Sequence, residues 1–239
     1  MNLAVVIPAL NEAECLPRLI AAIPRLPGDE VDVIVVDNGS TDTTAETARK
    51  SGARVVTEPR RGYGFACAAG FGAIDGAEVV VFLDGDYSFD PAEMPGLLAP
   101  LREGRADMVL GSRLLREKRA SMLPHQHFGN WLTAQIMRQL YGLRLTDLGP
   151  YRAVRADLLA SLDMREMTFG WPTEMIVKAA RRRARIVEMP VSHHPRLAGK
   201  SKVSGTLRGS LLASYFILRT TFRYAVRSAP KPLRENDAR

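Results

Sequence analysis

The sequence is poor in cysteine and has no long uncharged segment. Only two cysteines, Cys15 and Cys67, occur among its 239 residues, which excludes a framework of several disulfides and favours a reducing compartment. No uncharged run reaches the roughly 18 residues that a membrane-spanning helix needs, so no spanning helix is predicted. Residues 1–8 lack a basic leader and a cleavage site, and they predict a first strand rather than a signal peptide.

Recognisable metal-binding motifs of histidine and cysteine are also missing. The spacing of the four histidines fits no zinc motif, which favours solvated loop residues over metal ligands; they are His125, His127, His193 and His194. The glycine-rich, basic loop that nucleotidyltransferases carry after their first strand is absent too. This absence argues against a nucleotidyltransferase.

Positive charge is in excess. The chain has 33 Lys and Arg against 26 Asp and Glu, a net charge of +7, and the excess gathers after Arg102. A basic C-terminal half favours a phosphate-bearing partner, whether nucleotide, lipid phosphate, anionic membrane or nucleic acid. The length and the hydrophobic fraction of 46% suit one α/β domain with a short appendage.

Apolar runs alternate with helical segments through the first hundred residues. Strands are predicted at 3–8, 31–36, 53–57, 78–83 and 107–110, and helices at 12–24, 40–50, 62–74 and 91–103. Continuous apolar strands separated by helices predict a mostly parallel sheet covered on both faces. Farther on we predict a loop at 114–127, helices at 128–141, 154–161 and 172–182, a strand at 185–189 and a basic loop at 193–204.

Acidic residues follow three of the predicted strands. Asp84 and Asp86 come directly after the fourth strand, Asp37 follows the second and Glu12 follows the first. Ligands of such sheets bind at the carboxyl ends of the strands, and paired carboxylates suit a hard divalent cation that bridges phosphate oxygens. An ordinary Asp-Gly turn is the alternative for 84–86, and helix capping is the alternative for the other two positions.

Three further segments have both a functional and a structural interpretation. In Arg61-Gly-Tyr-Gly64 the glycines would let the backbone approach a ligand, or would simply start a helix. Lys200 and Lys202 would balance pyrophosphate charge, or would lie in a solvated basic loop. The predicted helix 205–228 has one apolar side, with arginines on a neighbouring arc; these are Leu207, Leu211, Tyr215, Leu218 and Phe222, and Arg208, Arg219 and Arg223. It would either pack on the catalytic domain or lie on an anionic membrane.

Together these motifs resemble glycosyltransferase family two, in its dolichyl-phosphate mannose synthase-like branch, over about residues 3–205. Pro8-Ala-Leu-Asn-Glu12 is similar to the opening motif, with Leu10 where Tyr is common. The other matching segments are Val36–Asp42, Asp84–Asp86, Gly111–Arg113, Asp147–Ala153, Trp171–Glu174 and Arg196–Lys202. Two departures stand out: Ser88 replaces a Gln that helps to hold metal, and the membrane-spanning C-terminal helices of some relatives are lacking.

The resemblance implies a GT-A fold, a Rossmann-like, mostly parallel α/β sheet with helices on both faces. Residues 1–204 would form this domain, 205–228 an amphipathic helix and 229–239 a disordered tail. The implied metal ligands for Mg²⁺ or Mn²⁺ are Asp84 and Asp86. The implied nucleotide-sugar site comprises Pro8, Leu10, Asn11, Glu12, Asp37, Gly39, Ser40, Gly64, Asp84, Arg196, Lys200, Ser201 and Lys202. The implied catalytic residues are Asp86, Arg113, Asp147 and Glu174.

We therefore expect a metal-dependent inverting transferase that moves a hexose from a nucleotide diphosphate sugar, of the UDP-glucose or GDP-mannose type, to polyprenyl phosphate. Arg113 would orient that acceptor. A soluble or glycan hydroxyl is the alternative acceptor, and it would need Asp147 or Glu174 as general base. The rival classes are a nucleotidyltransferase and a non-enzymatic module that binds nucleic acid or membrane. We expect a cytoplasmic enzyme without a nucleic-acid partner, peripheral at the inner membrane face if helix 205–228 lies on lipid.

Overall fold

The computed structural model of the chain describes residues 1–116, 124–199 and 207–225. Seven strands form one sheet: β1 Asn2–Ala9, β2 Glu30–Asp37, β3 Arg54–Thr57, β4 Val79–Phe82, β5 Met108–Ser112, β6 Arg152–Arg155 and β7 Ile186–Pro190. The helices are α1 Leu16–Ala22, α2 Thr44–Lys50, α3 Tyr63–Gly72, α4 Met94–Arg102, α5 Arg113–Arg116, α6 Pro124–Tyr141, α7 Ala156–Ser161, α8 Trp171–Arg181 and α9 Leu207–Ala225. A single 3-10 turn at Pro91–Glu93 leads into α4.

The strand order is β3-β2-β1-β4-β6-β5-β7. The described strands are parallel apart from β6, which pairs antiparallel with both β4 and β5. The mostly parallel α/β sheet is thus confirmed, but β6 was not predicted. Its sequence, Arg-Ala-Val-Arg, is short and has a charged residue at each end, so it lacks the apolar run that indicates a buried strand.

Alternate residues of the strands lie in two hydrophobic cores, one on each face of the sheet. Leu3, Val5 and Ile7 of β1 lie in the core under α1, α2 and α4. Ala4 and Val6 lie in the other core, under α3, α6, α7 and α8. Helices thus cover both faces of the sheet, which leaves the carboxyl ends of the parallel strands as the edge where loops can form a site.

Several predicted boundaries shift. Helix α1 starts at Leu16 rather than residue 12, and α6 starts at Pro124 rather than 128. The predicted loop 114–127 contains α5 and the start of α6, and its residues 117–123 lie outside the described ranges.

Helix α9 packs against α6 and α8. Lys200, Ser201, Lys202 and the predicted tail 229–239 also lie outside the described residues.

Candidate functional site

The loops after β1 and β2 emerge side by side and are tied together. Ala9 at the end of β1 pairs with Asp37 at the end of β2. The backbone N–H of Asn11 donates to Ser40 Oγ at 2.9 Å, and Asn11 Oδ1 accepts from the Thr41 N–H at 2.8 Å. Asp37 Oδ1 accepts from the Ser40 N–H at 3.0 Å. The fold therefore brings together Asn11, Asp37 and Ser40 as the resemblance implied.

Two residues of these loops adopt left-handed backbone conformations. Asn11 has φ 53° and Gly39 has φ 79°, values that Asn tolerates and Gly favours. The Gly39 carbonyl accepts from Arg61 Nη2 at 2.8 Å. Pro8 lies within β1 opposite Val36, and Leu10 follows the strand directly. These residues shape the turns on either side of Asp37, whose own side chain remains partly exposed.

Asp84 and Asp86 follow β4 at the same edge, and both are partly exposed. Burial, and then the neighbouring carboxylate of Asp86, raise the pKa of Asp84 to about 7. The Tyr63 hydroxyl donates to Asp84 Oδ1 at 3.3 Å, and Asp86 Oδ1 accepts from the Ser88 N–H at 3.0 Å. Ser88 thus orients Asp86 through its backbone, and two carboxylates that repel each other face the site.

This pair fits a divalent cation. Mg²⁺ is commonly held by one or two protein carboxylates, with the remaining ligands supplied by substrate phosphates and water. Within the described ranges, no group of three or more Asp, Glu, His or Cys side chains is arranged to hold a metal ion. The donor set of Asp84 and Asp86 therefore suits a cation that arrives together with a diphosphate rather than a permanent structural metal.

Arg196 lies over the acidic edge. Its Nη2 contacts both carboxylate oxygens of Glu12, at 2.7 Å and 2.8 Å, and its Nη1 lies 4.0 Å from Asp86 Oδ2. The Leu197 N–H donates to the Asp86 carbonyl at 3.1 Å. The described part of the basic loop therefore reaches the site, and Arg196 neutralises part of its negative charge.

Gly64 has a packing role in the fold. A Cβ at this position would lie 2.5 Å from the carbonyl oxygen of Glu166 and 2.5 Å from Cα of Met167. The space beside Gly64 is thus filled by protein backbone, and the glycine allows α3 to pack closely on the 166–167 segment. Its place in the nucleotide-sugar site stays a prediction.

Arg113 and Asp147 form a buried ion pair beside the acidic edge. Arg113 Nε and Nη2 donate to the two carboxylate oxygens of Asp147 at 2.7 Å and 2.8 Å, and the Arg113 N–H also donates to Asp147 at 3.0 Å. Asp147 is fully buried. Burial alone would raise its pKa, but the hydrogen bonds from Arg113 outweigh burial and lower the pKa. This geometry weighs against Asp147 as a general base, and its catalytic role stays a prediction.

Glu174 is also enclosed. It is fully buried, accepts from the Arg165 and Glu166 N–H groups at 2.9 Å and 2.7 Å, and accepts from the Tyr224 hydroxyl of α9. The two N–H groups contact Oε2, whereas the Tyr224 hydroxyl contacts Oε1, and Lys178 Nζ also lies 2.8 Å from Oε1. Burial would raise the pKa of Glu174, but these donors lower it. Glu174 therefore joins α8, α9 and the 165–166 segment. This enclosure weighs against its predicted role as a base, which stays a prediction.

Two neighbours of the site were missed from the sequence. Arg152 of β6 is buried, and among the described residues it donates only to backbone carbonyls, those of Gly149, Pro150 and Pro172. Its charge also acts on Asp84. His193 packs on the Phe89 ring at 5.1 Å between centroids, and burial and then Arg113 lower its pKa. His193 is therefore not the solvated loop residue that was predicted.

Comparison with known proteins identifies the family of the chain. Residues 4–162 match glycosyl transferase family 2. An uncharacterised glycosyltransferase of Mycobacterium tuberculosis is 42% identical over 210 residues, covering 87% of this chain and 93% of that protein. A protein of Micrococcus luteus named undecaprenyl-phosphate mannosyltransferase is 34% identical over 242 residues, covering 90% and 92%.

A solved structure is also similar. Glucosyl-3-phosphoglycerate synthase from Mycobacterium tuberculosis, in complex with Mn²⁺, UDP and glucosyl-3-phosphoglycerate, superposes with a TM-score of 0.73 at 26% identity. The superposition covers 94% of this chain and 80% of that one. The GT-A fold is thereby confirmed, and the chain is a glycosyltransferase that belongs to glycosyltransferase family 2, in its dolichyl-phosphate mannose synthase-like branch.

Proposed function

We propose that this glycosyltransferase moves a hexose from a nucleotide diphosphate sugar, of the UDP-glucose or GDP-mannose type, to polyprenyl phosphate, with inversion at the anomeric carbon. One observation carries the choice of acceptor: the carboxylates on the acceptor side, Asp147 and Glu174, are both buried and committed to other donors. An acceptor that is already an anion needs no base. Membership of a glycosyltransferase family decides against the nucleotidyltransferase and the non-enzymatic module.

The donor would lie along the carboxyl edge of the sheet. Asp37 and Ser40 would accept and donate hydrogen bonds at the nucleoside, because both are partly exposed beside the tied loops. Asp84 and Asp86 would hold Mg²⁺ or Mn²⁺, which supplies positive charge to the leaving diphosphate when it is bound. Arg196, already at this edge, would add a second positive charge.

The acceptor would meet Arg113. Asp147 holds Nε and Nη2 of that guanidinium, and among the described residues no hydrogen bond from Nη1 is found. Nη1 would orient an oxygen of the lipid phosphate, which attacks the anomeric carbon from the face opposite the diphosphate. The bond from that carbon to the phosphate oxygen forms as the bond to the diphosphate oxygen breaks, and no proton has to be removed.

The comparisons support this proposal by similarity. One relative is named for transfer of mannose to undecaprenyl phosphate, and the solved neighbour was crystallised with UDP and Mn²⁺. Among the described residues, no helix is long and apolar enough to cross a bilayer. We propose that a lipid acceptor is reached from the membrane surface and that the enzyme works at the inner face.

The test is a donor screen with purified enzyme. UDP- and GDP-linked hexoses would be offered one at a time with undecaprenyl phosphate, in Mg²⁺, in Mn²⁺ or in EDTA. We expect a glycolipid with one donor, in metal only, and none from Asp86→Ala. A full rate in excess EDTA would refute the metal requirement, and the absence of glycolipid with every donor would refute the acceptor class.

A further inference from the structure

Helices α6 and α9 each carry a stripe of large side chains at the same spacing. The α6 stripe is Phe128, Trp131, Gln135 and Arg138, and the α9 stripe is Leu212, Tyr215, Arg219 and Phe222. Steps of three, four and three residues place each set on one face of its helix. The aromatic members are exposed to 62% for Phe128, 55% for Trp131, 59% for Tyr215 and 49% for Phe222. Exposure of four aromatic side chains on two neighbouring helices is unusual for a surface that faces only water.

The two helices pack through their other sides. Helix α9 buries Thr220, Thr221 and Tyr224, and α6 buries Ala134 and Met137. The helices contact each other, and the Tyr141 hydroxyl donates to the Thr221 carbonyl. Packing on the catalytic domain therefore uses the faces opposite the stripes. The predicted packing of the C-terminal helix on the catalytic domain is thus observed for one of its sides, and its membrane contact stays a proposal.

The charge of these helices points to one kind of partner. Neither the 18-residue sequence of α6 nor the 19-residue sequence of α9 contains Asp or Glu. Arg138, Arg219 and Arg223 are exposed. Aromatic rings at headgroup depth with arginines beside them are typical of a helix lying in the interface of an anionic bilayer. A protein partner would find no acidic residue on either helix to pair with its own basic residues.

Helix α6 is joined to the segment around Asp147 through a buried residue, Asn130. Asn130 lies between Phe128 and Trp131 in sequence, and its side chain donates to the Thr146 carbonyl at 2.9 Å and accepts from the Leu148 N–H at 3.1 Å. These two bonds flank Asp147, the partner of Arg113. A surface that bound Phe128 and Trp131 would thus lie close to Arg113.

We propose that the stripes of α6 and α9 together form a peripheral membrane-binding surface for an anionic lipid bilayer, with Phe128 and Trp131 of α6 inserted at headgroup depth. Only the purpose of this surface, the delivery of a lipid phosphate to Arg113, rests on the proposed function. Binding to lipid can be measured without donor or acceptor, so a failure here is distinct from a failure of glycosyl transfer.

The chain carries its own probe for the experiment. It has two tryptophans, of which Trp171 is 2% exposed and Trp131 is 55% exposed. Tryptophan fluorescence would be recorded as full-length protein is titrated with phosphatidylcholine vesicles, with or without phosphatidylglycerol. We expect a shift of emission to shorter wavelength and sedimentation with the anionic vesicles at low salt. We expect neither with pure phosphatidylcholine, and reversal of both as salt rises.

Matched variants decide which face binds. Phe128→Ser and Tyr215→Ser should each weaken binding about tenfold, since each removes a large apolar side chain that the bilayer would bury on binding. Leu140→Ser is the control, because Leu140 is 42% exposed on the same helix but lies nine residues, or about two and a half turns, past Trp131 and so on its opposite side. Absence of sedimentation at low salt, or equal weakening by Leu140→Ser, would overturn the proposal. So would an emission shift that depends on protein concentration without vesicles, which would make a second copy the occupant.

Discussion

Arg113 donates to both carboxylate oxygens of Asp147, so the two side chains form one bidentate ion pair. The pair is two-pronged, with Asp147 fully buried and Arg113 only 15% exposed. A two-pronged pair fixes the plane of the guanidinium and thus the direction of its remaining N–H groups. We propose that Asp147 orients Arg113 rather than taking a proton.

Breaking this pair tests whether Asp147 orients Arg113 or acts as a general base. Asp147→Asn leaves the Arg113 charge without its partner, which typically costs about 3–5 kcal/mol when a buried pair is broken. We expect lower stability by chemical denaturation and slower transfer, with an unchanged pH profile of kcat. The double variant Arg113→Gln with Asp147→Asn should recover stability but not transfer. Loss of the acid limb of the profile in Asp147→Asn alone would instead make Asp147 a base.

Metal binding should depend on pH through Asp84. Its folded-state pKa is raised from 3.8 to about 7 by burial and by Asp86, so the metal-free protein gains a proton there that the unfolded chain lacks. The contribution of Asp84 to the stability of the metal-free protein is thus present at low pH, and it falls as pH rises between about 4 and 7. A cation competes with that proton for Asp84. At a pH where Asp84 is ionised, the cation also relieves the repulsion between Asp84 and Asp86.

We therefore expect Mg²⁺ to raise the Tm more at pH 8 than at pH 5.5. Asp84→Asn should abolish this difference, because it removes the titrating carboxylate. Thermal unfolding with and without Mg²⁺, at both pH values and in matched ionic strength, is the measurement. An equal rise in Tm at the two pH values would show that the cation binds elsewhere.

Asp37 should govern nucleotide affinity. Loss of one hydrogen bond to a charged group is worth roughly 1.5–3 kcal/mol, or about tenfold to a hundredfold in affinity. We expect Asp37→Ala to weaken binding of the cognate nucleoside diphosphate by this factor in calorimetry. Asp75→Ala is the matched control, since Asp75 is exposed in the loop that precedes β4, at the other edge of the sheet. Unchanged affinity in Asp37→Ala would remove Asp37 from the site.

Glu174 should matter for stability and not for proton transfer. Tyr224→Phe removes one donor to its carboxylate, which is worth about 1.5–3 kcal/mol. We expect that loss in denaturant unfolding, with the pH profile of transfer kept. Tyr215→Phe, on the exposed side of the same helix, should change neither quantity. If Tyr224→Phe is as stable as the wild type, α9 is not anchored through this hydrogen bond.

The sequence predicts best those parts of the site that depend on neighbours along the chain. An apolar run followed by Asp84-Gly-Asp86 is a local pattern, and parallel strands must end at one edge, so the acidic pair and Asp37 could be placed from sequence. The Arg113–Asp147 pair joins residues 34 apart and the Glu174–Tyr224 bond joins residues 50 apart. Neither of these two interactions can be predicted from residues that are neighbours along the chain. Arg152 was missed because an arginine inside a short strand normally indicates a surface, whereas here carbonyl oxygens solvate it.

The central claim is that the acceptor is a phosphate anion, so that no base is required. The most direct measurement compares transfer of labelled hexose to undecaprenyl phosphate and to undecaprenol, the same lipid without its phosphate, under the metal and donor conditions that support activity. We expect a labelled phosphodiester glycolipid from the phosphate and no product from the alcohol, with Arg113→Gln slowing only the transfer step and not nucleotide binding. Equal transfer to undecaprenol, or transfer only to a sugar hydroxyl, would contradict the account.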